Sequence, residues 1–347
     1  VLEMAAEQDI SRSIKLVKEG FRRIPNKGIG YGILTYLSGD GKNEDHALRI
    51  QPEISFNYLG QFDQDLDSNK LQISPYSVGA SISEKMAQRY TLDMNGMISQ
   101  GVLSLTIDYN GRQYRKETVE NLSQLLRTSL REVILHCADK EQPELTPSDL
   151  LLSDLSMEEL EQLVQQTAHI GEIENVYKLT SMQKGMLFHS QLEPDSAAYF
   201  EQAVFSLQGS LDVEIFAQSL DALVQRHDVL RTGFYSGLAE PVQVVYRRKP
   251  CGFYYEDLRG LEEAEREAYA QAFSVNDTAA GFDLAQDALL RVSVLRIGEQ
   301  TYQFYWSFHH IIMDGWCVPI MMQEVFEHYA AIQEQRQPEL SVVLPYR

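Results

Sequence analysis

Residues 138–148, ADKEQPELTPS, are polar and hold two prolines, Pro143 and Pro147, between long segments of periodic apolar residues. Proline cannot donate to a helix or strand ladder, so such a stretch reads as a linker. It constrains the chain to fold as two packed pieces rather than one. The 347 residues agree, at roughly 150 residues per domain. A hydrophobic fraction of 44% supplies cores for both and excludes disorder as a description of the whole chain. The net charge of −20 argues against nucleic acid as a partner, because phosphate neutralisation needs clustered Lys and Arg. It equally disfavours an anionic membrane surface.

Cys137, Cys251 and Cys317 are far apart, with no C-x-x-C or Cys/His spacing. They imply neither a disulfide framework nor a metal site, and a reducing cytoplasm is the simplest compartment. No apolar run reaches about 18 residues, so no membrane span is expected. The first residues, Val1-Leu2-Glu3-Met4, have neither a basic nor an apolar signal region, and the chain is expected to be an internal piece of a longer one.

Before the linker, Ile14, Val17, Phe21 and Ile24 predict a helix that Pro25 closes. A glycine-rich turn, Pro25-Asn26-Lys27-Gly28-Ile29-Gly30-Tyr31-Gly32, feeds an apolar run over 33–37, and Asp40-Gly41 marks another turn. Residues 53–61 read as a strand, and 89–109 as two strands joined at Asn95-Gly96, a strong hairpin signal. Val119, Leu122, Leu126, Leu130, Val133 and Cys137 make one stripe of a long helix. Past the linker, Ser156 and Glu159 fit a capping box before a short helix. From Val176 the pattern resets. Helices are expected over 181–192 and 212–226, and strands near 200–207, 230–235, 242–246, 289–297 and 302–308. A closing helix carries Val318, Met321, Met322, Val325, Phe326, Tyr329 and Ile332. The irregular alternation points to an α/β (α+β) sandwich rather than a doubly wound sheet.

The densest polar cluster in an apolar setting is Phe308-His309-His310-Ile311-Ile312-Met313-Asp314-Gly315-Trp316. Three readings are open: two core histidines satisfied by backbone, a metal site, or a general base. Adjacent strand residues face opposite ways, so His309 and His310 cannot readily share an ion, and no third ligand is spaced for one. A histidine where a strand ends can reach a cleft, and its ordinary pKa suits proton removal near neutrality. Gly315 would allow a tight turn there. Two further segments stand out. Residues 226–234, RHDVLRTGF, place Arg226, His227, Asp228 and Arg231 at a helix-to-strand junction, which is also what a solvated helix end looks like. Residues 179–190, LTSMQKGMLFHS, are an N-terminal helix that packing alone could explain.

Together the three segments resemble, in order, the first half of a condensation domain of a non-ribosomal peptide synthetase. The HHxxxDG core stands as His309, His310, Asp314 and Gly315, the RHxxLRTxF segment at 226–234, and the opening at 179–190 is similar to the subclass that accepts a D-configured upstream residue. Pro345-Tyr346-Arg347 looks like the start of the family's next motif. The front of the chain resembles the last third of an epimerization domain, through Pro25 to Gly32 and through Phe56-Asn57-Tyr58-Leu59-Gly60-Gln61-Phe62-Asp63. The resemblance implies three stretches: residues 1–138 as the C-terminal lobe of an epimerization domain, 139–175 as linker with a short helix, and 176–347 as the N-terminal lobe of a condensation domain. Each lobe would be half of a chloramphenicol-acetyltransferase-like unit. The epimerase's own HHxxxDG and acid/base segment are not in the chain, so no epimerase catalytic residue carries over.

By that resemblance the intact enzyme joins two thioesters held on 4′-phosphopantetheine arms of carrier domains, with an adenylation domain downstream. His310 would contact the attacking amine and Asp314 would pair with Arg231. His309 and Gly315 would be structural, with Arg226 in support and Trp316 packed; no cofactor or metal is expected on the segment itself. The rival readings are a carrier-docking module without catalysis and a free-standing acyltransferase, which shares the HHxxxDG core but not the front half.

Overall fold

The computed structural model describes residues 9–37, 52–61, 76, 79, 83, 89–99, 101–140, 143–152, 154–193 and 196–344. The turn expected at Asp40-Gly41, the end of the 56–63 motif at Phe62-Asp63, and Pro345-Tyr346-Arg347 lie outside these residues. The chain divides into two compact units, Val1–Glu144 and Leu145–Arg347.

In the first unit, α1 (Ile10–Arg22) starts where the Asp9 carboxylate accepts the Arg12 N–H at 2.7 Å. A short 3-10 turn, Pro25–Gly28, follows, with Asn26, Lys27 and Gly28 all at positive φ. The next element corrects the sequence reading. Gly30 and Gly32 are not part of an extended turn but lie within helix α2 (Ile29–Tyr36). A three-stranded sheet is built from β1 (Ile54–Gln61), β2 (Leu92–Ser99) and β3 (Val102–Tyr109), with β1–β2 parallel and β2–β3 antiparallel. The hairpin does not turn at Asn95-Gly96, which sits mid-strand; Ser99 pairs with Val102, and Gly101 between the two strands has φ +71°. Gly96 is there for closeness: a Cβ would lie 2.6 Å from Leu105 Cδ2 and 3.4 Å from Tyr58 Cδ2. Helix α3 (Lys116–Ala138) follows the expected stripe, with Val119 buried but Cys137 exposed.

The second unit begins earlier than the pattern reset suggests. From Leu145 the chain is packed rather than free. Leu150, Leu152 and Leu155, together with Leu160 and Leu163 of α4 (Met157–Thr167), share a core with Ile173 and Val176 of β4 (Ile173–Lys178). The Ser156/Glu159 capping box forms as expected. Strand β4 pairs with β7 (Val242–Tyr246), which pairs with β6 (Thr232–Tyr235), making a three-stranded antiparallel sheet.

The larger sheet runs β5 (Phe200–Gln208), β10 (Thr301–His309), β9 (Leu290–Gly298) and β8 (Gly252–Asp257). Its central strand β10 is buried almost throughout. Period-two alternation sends Phe304, Trp306 and Phe308 into the main core, with Phe216, Leu220 and Leu223 of α6 (Val213–Arg226) and Val318, Met321 and Val325 of α8 (Cys317–Gln333). Tyr305 points the other way, to Ala270 and Phe273 of α7 (Glu263–Ala280). The unit is thus a mixed α/β sandwich. Strand β8 and helix α7 had no expectation attached. The parallel β8–β9 pair is joined through α7, a crossover helix, as a parallel connection requires. Among the described residues no helix is long and apolar enough to cross a membrane.

Candidate functional site

Strand β10 ends at His309, and the turn that follows forms the candidate site. His309 is buried: its Nδ1 accepts the Ile311 N–H at 3.1 Å and its Nε2 lies 3.4 Å from Ser190 Oγ, on α5 (Ser181–Leu192). Burial, aided by the neighbouring His310, pushes its pKa down to about 4, so the ring stays neutral near pH 7. His310 is turned the other way. Its backbone N–H donates to Tyr199 O at 2.8 Å, and its Nδ1–H donates to Met313 O at 2.9 Å, since a carbonyl can only accept. That bond selects the tautomer with the free lone pair on Nε2.

Two contacts from other elements hold this turn. Thr180 and Gln183 form a capping box at the start of α5, with Gln183 Oε1 accepting the Thr180 N–H at 3.0 Å. The other end of the same buried amide, Nε2, donates to Ile311 O at 3.2 Å. Gln243 of β7 locks the amide from behind, donating to Gln183 Oε1 at 3.2 Å and to Lys178 O at 3.0 Å. Tyr199 accepts from His310 while held at φ +65°, a region a bulky side chain rarely adopts.

The turn opens into a cavity of about 680 Å³ lined by His310, Ile312, Asp314, Cys317, Met182 and His227, among others. Met182 and Ile320 form an exposed apolar rim. Burial raises the Cys317 thiol, which keeps it protonated. Among the described residues, no three His, Cys, Asp or Glu side chains are grouped to hold a metal ion.

Three expectations about this site need correction. Asp314 does not pair with Arg231. It is exposed and turned onto its own loop, accepting the Trp316 N–H at 3.0 Å as α8 begins. Arg231 is buried elsewhere, at the junction into β6, donating to Asp228 Oδ1 at 2.7 Å, to Tyr246 O at 2.6 Å and to Glu174. Both terminal nitrogens of the guanidinium are thus committed, to two carboxylates and a carbonyl, and only the buried Nε is without a partner among the described residues. Gly315 has no positive φ, and a Cβ there would meet open space, so the turn itself does not require glycine. Trp316 is 86% exposed rather than packed. Arg226 lies beside the cavity in the seam between α6 and α8, donating through Nε to Glu324 at 3.1 Å.

Gln183 and His227 sit inside the motif segments without a role assigned from sequence. The T-x-x-Q spacing at 180–183 is a legible cap signal for the first. Tyr199 carries no sequence mark at all, because nothing in a tyrosine announces a left-handed backbone.

The Condensation domain family model matches residues 1–155 and 173–347. The chain belongs to this family. It is 54% identical over all 347 residues to a mycosubtilin synthase polypeptide of Bacillus subtilis, covering 13% of that protein. It is 37% identical over 346 residues to bacitracin synthase 1 of Bacillus licheniformis, of which it spans 6%. The chain is therefore a small fraction of the length of these relatives. Among solved structures, the starter condensation domain of rhizomide synthetase aligns at 26% identity over 47% of this chain and 41% of that one, with a TM-score of 0.44.

Proposed function

We propose that the second unit is the catalytic half of a peptide-bond-forming domain within a non-ribosomal peptide synthetase. It would join a carrier-bound acyl or peptidyl thioester to a carrier-bound amine. The observation that carries this reading is the His310 tautomer: Nδ1–H is committed to Met313 O, so Nε2 offers its lone pair. His310 also lines the cavity. The attacking amine must shed a proton as its nitrogen bonds the thioester carbonyl carbon, and a neutral imidazole is suited to receive it. The thioester is already activated, so holding the two ends together supplies much of the remaining rate, up to about 7–11 kcal/mol in favourable cases. The 4′-phosphopantetheine arms belong to the substrates. Carrier domains would be the immediate partners, and an adenylation domain would choose the monomer.

The first unit fits a different role in the same reading. Its motif segments at 25–32 and 56–63 support the C-terminal part of an epimerization-type domain, which would place a D-configured residue at the donor end. The two-lobed acetyltransferase-like arrangement would then be completed by lobes beyond each unit.

Replacement of His310 by Ala in the full-length protein is expected to lower dipeptidyl-thioester formation by about 10²–10⁴-fold, the usual worth of a positioned base. Circular dichroism of the variant should remain that of the unaltered protein. Product formation at the original rate would remove His310 from the role given to it. Donors of D configuration should outcompete their L counterparts in the same assay; the reverse preference would argue against the epimerization order.

A further inference from the structure

A second imidazole lines the cavity that holds His310. His227 ends α6, and its Nε2 lies 2.6 Å from Glu324 Oε2 on α8. Arg226 donates to the same carboxylate oxygen at 3.1 Å, and all three side chains are mostly buried, at 13–21% exposure. With Nε2–H committed to Glu324, the lone pair of a neutral His227 is on Nδ1, which takes no hydrogen bond among the described residues. The arrangement repeats that of His310, where one ring nitrogen is anchored and the other left open.

The reaction has a use for two such groups. An α-amine has a pKa of about 7.7–8.0 and arrives near pH 7 largely as ammonium. Two protons must leave its nitrogen before it becomes an amide nitrogen. One ends on the sulfur freed when the carbon–sulfur bond breaks, and the other goes to solvent. A single lone pair on His310 carries one proton at a time.

We infer that the His227–Glu324 pair is a second proton acceptor of this cavity, converting the incoming ammonium to the free amine before His310 takes the proton released on carbon–nitrogen bond formation. The inference rests on the peptide-bond reading above. Glu324, already paired with Arg226, orients the ring and stabilises its protonated form rather than receiving the proton. Besides Arg226 and Glu324, the charged or titratable groups near His227 include His328 on α8 and, lining the same cavity, His310, Asp314, Cys317 and Tyr199.

The test compares two acceptors in the full-length protein: an aminoacyl-pantetheine thioester, and its α-aminooxy analogue, whose nucleophilic nitrogen is uncharged at pH 7. His227→Gln should slow amide formation from the first by about tenfold or more, a base being worth typically 10²–10⁴-fold, and leave the second nearly unaffected. Glu324→Gln, which keeps a hydrogen-bonding group against the ring, should give a smaller loss of the same selectivity. His310→Ala should depress both acceptors. Equal losses with both acceptors for His227→Gln would mean that the pair only packs the α6–α8 seam, and no loss would mean that it is idle; either overturns the inference. An unaltered protein that makes no amide from either acceptor would defeat the peptide-bond reading itself, and this one with it.

Discussion

Gly233 in β6 has no room for a side chain: a Cβ would sit 2.7 Å from Ala285 O, a backbone atom held in place because Leu284 O accepts the Phe234 N–H at 2.8 Å. Gly233→Ala is expected to destabilise the second unit by about 1–3 kcal/mol, read as a lower denaturant midpoint. Gly315→Ala, facing open space, should stay within about 0.5 kcal/mol of the unaltered protein in the same titration. Sequence alone ranks these two the other way round, because the HHxxxDG motif draws attention to Gly315 while only packing reveals the wall beside Gly233. His309 gives a prediction in pH. Its folded pKa of about 4 lies below the ordinary 6.5, so on acidification the unfolded chain takes up this proton first. The stability it contributes is whole above pH 6.5 and declines toward pH 4, by roughly 3 kcal/mol. His309→Asn retains an acceptor for the Ile311 N–H and should flatten that part of the curve of stability against pH; an unchanged slope would show that the ring is not held neutral.

At the scale of elements, the short turn Asp228–Arg231 and the strand after it depend on a cation whose partners come from β4, β7 and the turn itself. Arg231→Ala should cost roughly 2–4 kcal/mol, because Tyr246 O loses a buried donor while Glu174 and Asp228, both over a third exposed, can return to water. Asp314→Ala should cost no more than about 1 kcal/mol, the worth of an exposed helix-starting bond. Thermal unfolding of the two variants side by side checks both; similar losses would mean that they act as one pair after all. Elements with a strong apolar period, such as α3, α6, α8 and β10, were legible in the sequence. Helix α7 was not, because only Ala270 is fully buried and the stripe it makes with Tyr269 and Phe273 is too short to mark the whole helix. Strand β8 was not, because it lies at the edge of its sheet without a clean alternation. Asn95-Gly96 misled for a related reason: a strong turn dipeptide was overridden by the close approach of Leu105 and Tyr58.

Across the whole molecule, the polar proline-bearing stretch, the hydrophobic periods and the motif segments were enough to establish two folded units, a mixed α/β architecture and the condensation family, and to single out the turn that lines the cavity. These are properties of local spacing and composition, and the chain carries them along its length. Which imidazole nitrogen is free, which carboxylate holds Arg231, and that a second histidine with its own glutamate shares the cavity were decided only on folding. Each of those depends on groups brought together from far along the chain or on backbone carbonyls whose direction the fold sets: Gln183 beside Ile311, Arg231 beside Glu174, His227 beside Glu324, and Met313 O against His310. A hydrogen bond is decided by distance and direction to about half an ångström. Residue type and sequence spacing define which such contacts are chemically allowed, and tertiary packing selects which of them form.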